Sequence, residues 1–181
     1  MNWLSPDPCW HVTAPVTSGA ALRSRQLLDR IIDQFDVETH ARYQRNAKGD
    51  TMCNTFVNDV TRALAAEVAQ RELKMVEGAP RIVELDANAM IDWLAGYHGQ
   101  RNGWVSCDEH SARAAADAGY PVVVAWSNPG GIGHVAVGTP APVGMPDDGH
   151  LWIAAAGAHN FRRCLVAQSF GAAQVRYFTH A

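Results

Sequence analysis

An α+β fold is what this sequence predicts, with helices laid down first and a mainly antiparallel sheet after them. Apolar residues recur at threes and fours as far as Gly119. Beyond Pro121, short β-branched runs separated by Gly, Pro and Asp take over. With 181 residues and 48% hydrophobic content, the chain is long enough to bury one core and short for two, so residues 1–181 read as a single domain. No internal repeat or low-complexity tract interrupts the pattern.

The elements follow in order. Residues 1–18 hold Pro6, Pro8 and Pro15 and read as an irregular arm pinned by Trp3 and Trp10. From Ser18 to Phe35, Leu28, Ile31, Ile32 and Phe35 share one helical face. Thr17 or Ser18 is the expected cap, and Arg23, Arg25, Asp29, Arg30 and Asp33 the solvated side. The polar stretch ETHARYQRNAKG is loop-like. It leads into DTMCNTFVNDVTRALAAEVA, where Met52, Phe56, Val60, Ala63, Leu64 and Val68 mark the buried face of a second helix that Asp50 or Thr51 can cap. RELKMVEGAPRIVEL, broken by Gly78 and Pro80, reads as an irregular connection. DANAMIDWLAGYHG is a short helix capped by Asp86, burying Met90, Trp93 and Leu94 and ending near Gly96 or Gly99. Ser106 to Glu109 form a capping box for an alanine-rich helix that stops at Gly119, its small side chains allowing close approach to another element. Strands are then expected at PVVVAW, HVAVG, LWIAA, CLVAQSF and QVRYFTH.

Charge and cysteine usage exclude several classes. The net charge is −3 and no run of Lys or Arg occurs, which argues against nucleic acid or anionic lipid as the main partner. No apolar run reaches membrane-spanning length, so no membrane insertion is expected. The first residues, MNWLSPDPCWHV, lack a basic region followed by an apolar core, and the protein is expected to be made in the cytoplasm without a recognisable signal peptide. The 4 cysteines are scattered without a CxxC, which is no zinc knuckle. His110 and Asp117 have the H-x6-D spacing of some zinc carboxypeptidases. Inside one helix, however, such positions stand about 10 Å apart along the axis, too far for one metal ion.

Cys53 falls in the first turn of its helix, where free backbone N–H groups and the helix dipole favour an anion and a thiol is expected to ionise more readily. A nucleophilic cysteine needs a base. His134 heads a β-branched run after the glycine-rich turn GGIGHVAVG, placed to emerge at a sheet edge.

The succession TMCNTFVNDV, ELDANAMIDWL, AADAGYPVVVAW and GHVAVG, over roughly Tyr43 to Val137, resembles the papain-like cysteine peptidases of the NlpC and CHAP type. Among these it is most similar to the peptidoglycan amidases of phage lysis and of type VI secretion effectors; AGAHNF and SFG extend the likeness more weakly. The resemblance implies a nucleophile helix packed on a sheet whose strand presents the histidine, and a Cys53–His134 acyl-enzyme mechanism on an amide of the cell-wall peptide stem. It also implies an oxyanion bound by amides at the helix start, no cofactor or metal, and action at the bacterial cell wall after lysis or secretion. An effector would bring a cognate immunity protein as a further partner. Tyr43 resembles the tyrosine that lines such sites, and Asn88 is the other candidate to face the substrate groove. The family has a polar residue on the next strand to orient the imidazole. This sequence has Ala154 and Ala155 there, which leaves His150, His159 or Asn160 to substitute, with Asp59 read as a structural partner instead. A non-catalytic wall-binding or effector module of the same fold is the alternative, and a zinc-dependent peptidase the weaker one.

Overall fold

The structure, a computed structural model, describes residues 12–145 and 149–181; the anchors expected at Trp3 and Trp10 lie outside the described residues. Helix α1 (Arg25–Asp33) is capped by Ser24, whose hydroxyl accepts the Leu27 N–H, and not by Thr17 or Ser18. The intervening residues form a short 3-10 turn, Ala20–Leu22, and Ser18 donates its N–H to the Ala63 carbonyl. Leu28, Ile31 and Ile32 are buried as their spacing requires. The side read as solvated is instead docked by ion pairs: Asp29 with Arg162 and Arg163, Asp33 with Arg162, and Arg25 with Asp117.

Helix α2 (Cys53–Ala63) begins where the sequence places it, but neither Asp50 nor Thr51 caps it. Met52 holds the cap position without a side-chain bond, while Asp50 accepts from Asn46. The helix ends earlier than Val68. Ala65 turns into the left-handed region at φ 51°, and the Ala66 N–H returns to the Thr61 carbonyl at 2.9 Å. Side chains then sew the departing chain back onto the helix: Asn58 donates to the Val68 carbonyl at 2.8 Å, and Gln70 to the Thr55 hydroxyl at 2.9 Å. Leu64 and Val68 stay in the core by this route.

The stretch read as an irregular connection is a hairpin. Strands β1 (Arg71–Val76) and β2 (Ala79–Glu84) pair antiparallel around Glu77 and Gly78, both at positive φ, as a two-residue hairpin turn demands. Leu73, Met75 and Ile82 are exposed on it, so the polar and apolar alternation from Glu72 to Met75 belongs to a strand without a buried face. Helix α3 (Ala87–Ala95) is capped as expected, with the Asp86 side chain accepting from the Ala89 N–H at 2.9 Å, and it gives way at Gly96 to a short helix α4 (Tyr97–Arg101). Strand β3 (Trp104–Cys107) was not foreseen. Because Ser106 lies within it, the cap of α5 (Glu109–Asp117) is Asp108, which accepts from the Ser111 N–H at 2.7 Å. The close approach expected of this helix occurs at Gly119, where a Cβ would lie 2.3 Å from the Ser24 backbone.

The remaining elements are β4 (Val122–Trp126), β5 (His134–Thr139), β6 (Trp152–Ala155), β7 (Phe161–Leu165), α6 (Val166–Phe170) and β8 (Arg176–His180). The segment VAQSF, read as part of a strand, is therefore helical. The main sheet runs β3-β8-β4-β5-β6-β7 with every neighbouring pair antiparallel, which is an α+β arrangement. Val123, Ala125, Val135, Val137 and Ala154 pack against the α1–α3 side. Val122, Val124, Ala136, Ile153 and Ala155 pack with Ala112 and Ala116 of α5 and Phe170 of α6 on the other. Helices cover both faces, which explains why the central strands read as unbroken apolar runs. Among the described residues no helix is long and apolar enough to cross a membrane.

Strands β5 and β6 pair only from Val137 to Thr139. The end of β5 that carries His134 and Val135 therefore has β4 on one side and a seam on the other.

Candidate functional site

At that seam the first turn of α2 meets β5. The amides of Cys53, Asn54 and Val135 and the Thr51 side chain lie near enough to the Cys53 sulfur to favour its thiolate. Val135 follows His134 directly, so Cys53 and His134 are brought to neighbouring backbone. They arrive from opposite faces: Cys53 belongs to the cluster on the α2 side, while the His134 ring packs on Phe170 of α6, centroids 4.7 Å apart. Between the two faces at this point β5 has no β6 partner, since the β5–β6 pairing starts at Val137.

Burial reverses the expected acidity of the thiol. Cys53 is 3% exposed, and desolvation pushes its pKa up despite the amide and hydroxyl donors around it. Burial likewise holds His134 down, from 6.5 to about 4. Both groups rest uncharged at neutral pH, a thiol and a neutral imidazole rather than an ion pair. A histidine whose folded pKa lies below its unfolded value stabilises the fold fully above the unfolded pKa and loses that contribution as pH falls toward the folded one. Stability is thus expected to drop between pH 6.5 and about 4 by an amount on the order of 2–3 kcal/mol. Chemical denaturation at several pH values should show this component in the native protein and not in His134→Gln.

His134 has a side-chain partner that the sequence reading missed. Ser169 on α6 places its hydroxyl 3.0 Å from His134 Nε2. The only sequence signal was the SFG that closes VAQSF, hidden by taking that segment for a strand. A proton on Nε2 donated to Ser169 leaves Nδ1 with the lone pair a base requires. Ser169→Ala is expected to lower kcat about 10- to 100-fold with KM nearly unchanged, and Ser169→Thr to recover part of it in peptide-cleavage kinetics.

Glycines frame the imidazole. A Cβ on Gly157 would sit 3.1 Å from His134 Cε1. One on Gly133 would sit 2.4 Å from the Trp126 carbonyl and 2.5 Å from Asn88 Oδ1. Gly133→Ala should cost about 1–3 kcal/mol in thermal unfolding and displace His134.

The other predicted site residues have different work. Asn88 clamps the loop before His134, donating to the Asn128 and Gly131 carbonyls at 3.1 and 2.8 Å and accepting the Asn128 N–H at 2.9 Å. Tyr43 is 1% exposed, in edge contact with Phe56 and donating to Asp59 at 2.9 Å, so it lines the core and not a substrate path. Asn160 is committed to the backbone: Nδ2 to the Val37 and Tyr43 carbonyls, Oδ1 to the Gly157 N–H. His150 lies beyond the far end of β5, roughly 17 Å along the strand from His134, with Nδ1 3.5 Å from Glu109. The His159 side chain is exposed beside Phe161, though its carbonyl belongs to the loop against Gly157. Asp59 is the structural partner it was read to be, bound to Arg42 at 2.7 Å.

Among the described residues no three His, Cys, Asp or Glu side chains gather as a metal site; Asp117 is held by Arg25 and Arg113. Beyond Gly157 lies an open groove of about 350 Å³, lined by Glu38, Gln44, Arg45, His159 and Asn160 among others. Comparison with protein-family profiles and with curated proteins returned no match.

Proposed function

We propose that the protein is a papain-like cysteine amidohydrolase that cleaves an amide in the peptide stem of peptidoglycan. The observation that carries this is the seat of Cys53: the sulfur lies at the first turn of α2, beside the amide of the residue after His134, and His134 is itself bonded to Ser169. The order of motifs along the chain, from TMCNTF to GHVAV, supplies the substrate class by resemblance.

In this mechanism His134 accepts the thiol proton as the sulfur attacks the carbonyl, because neither group is charged beforehand. The amides of Cys53 and Asn54 stabilise the oxyanion. His134 then protonates the departing amine, activates water, and the acyl group leaves as a carboxylic acid. The chain would act at the cell wall after lysis or delivery by a secretion machine, and a producer of such an effector would carry an immunity protein.

The burial of an uncharged Cys53 favours one second reading, a wall-binding or effector module of the same fold that performs no turnover. Incubating the purified protein with sacculi and identifying new termini by mass spectrometry separates them. New amine and carboxylate termini on stem residues support the amidohydrolase. Retention on sacculi without new termini supports the module, and cleavage within the glycan strand overturns both.

A further inference from the structure

The groove beyond Gly157 carries two opposite charges that do not neutralise each other. Arg45 donates Nε and Nη2 to the Gly49 carbonyl, at 3.2 and 3.0 Å, which fixes the guanidinium without supplying a counter-charge. Glu38 accepts the Arg162 N–H at 3.0 Å, again a backbone partner. Among the described residues neither side chain makes an ion pair, yet both line the same cavity of about 350 Å³. The backbones on its walls are fixed as well. Gln44 donates to the Glu38 carbonyl at 3.0 Å, and Asn160 ties the 157–160 loop to the Val37 and Tyr43 carbonyls. Gly157 also lines the groove, and a Cβ there would lie 3.1 Å from the imidazole of His134. Gly157 thus touches both the cavity and the proposed base.

A preformed site with one fixed cation and one fixed anion suits a ligand that carries both signs on adjoining atoms. We infer that this groove binds a free zwitterionic amino-acid end, an ammonium and a carboxylate on one carbon, with Arg45 taking the carboxylate and Glu38 the ammonium. This rests on the peptide-stem reading and names the part of the stem held beside the scissile amide. A carboxylate on a guanidinium and an ammonium on a carboxylate are charge-assisted hydrogen bonds, about twice as strong as neutral ones. A side chain at Gly157 would crowd the imidazole and the His159 carbonyl.

The test measures binding, so that it stands apart from catalysis. Cys53→Ala protein is titrated calorimetrically with two synthetic stem tripeptides that differ at the third residue, diaminopimelate in one and lysine in the other. The first has the free zwitterionic end; the second keeps the ammonium and lacks the carboxylate. The diaminopimelate peptide is expected to bind about tenfold more tightly or better, and Arg45→Gln in the same background to bring the two to equal affinity. Glu38→Gln, which keeps the acceptor for the Arg162 amide, is expected to weaken both peptides alike. Equal affinities before Arg45 is changed, a preference that survives Arg45→Gln, or no binding of either peptide would overturn the inference. Binding with an Arg45-dependent preference, alongside a native protein that yields no new termini on sacculi, would uphold this site and sink the hydrolase.

Discussion

Replacing Cys53 by alanine is expected to reduce the release of stem fragments from sacculi by a factor of about 10³ or more, to background. The reason is chemical: the Ser169 and Thr51 hydroxyls near the seam are far weaker nucleophiles than a thiol, and water lacks the positioning that α2 gives the sulfur. The fold should survive. Removing one sulfur from a site ringed by backbone amides leaves a small gap, and the change in unfolding free energy should stay near about 1 kcal/mol. Cys53→Ser tests the same point with less change of shape, since an uncharged hydroxyl is a far poorer nucleophile beside a base held down to about 4. Fragments released unchanged by Cys53→Ala would end the proposed chemistry, because the catalyst would then lie elsewhere or in a contaminant.

Asp59→Ala should be the most damaging substitution for stability. The Asp59 side chain is fully buried on α2 and accepts from Arg42 Nε at 2.7 Å and from the Tyr43 hydroxyl at 2.9 Å, with Arg62 at 3.9 Å. Truncation leaves the Tyr43 phenol and the Arg42 guanidinium buried without their carboxylate, a loss of about 3–5 kcal/mol. In a chain of this size that corresponds to a fall in Tm of roughly 10 °C. Arg42 and Tyr43 lie on the 3-10 turn Ala41–Tyr43, so the same loss loosens the segment that reaches Asn160 and Arg45. Tyr43→Phe removes one donor and keeps the ring against Phe56, and should cost about 1 kcal/mol. Thermal unfolding of the two variants side by side decides the matter; an Asp59→Ala protein as stable as the parent would refute the account of this network.

Much of the architecture was legible because local chemistry and tertiary need agree. The Asp86 cap, the Gly119 stop and the helical face of Phe56 and Val60 can each be read without neighbours. The failures have a common physical source in distant partners. The helix α1 carries a charged face that looks solvated until Arg162 and Arg163 are folded against it. The β1–β2 hairpin leaves apolar side chains in solvent, so alternation there marks no buried face. At the site, Cys53 and His134 could be named from position, whereas Ser169 could not: five residues rich in apolar character give no sign that they form a turn of helix over an imidazole. The acidity of the thiol was misjudged because sequence reveals the helix terminus and conceals how little solvent reaches it.

The seam also limits what the proposed hydrolase could take. An amide whose carbon must meet the Cys53 sulfur from one surface of the sheet, and whose nitrogen must meet the His134 imidazole from the other, would have to enter edge-on where β6 leaves β5. An extended stem peptide can present its bond in that way, whereas a folded polypeptide, with its bonds tucked into helices and turns, should remain untouched even where its sequence offers the same amide.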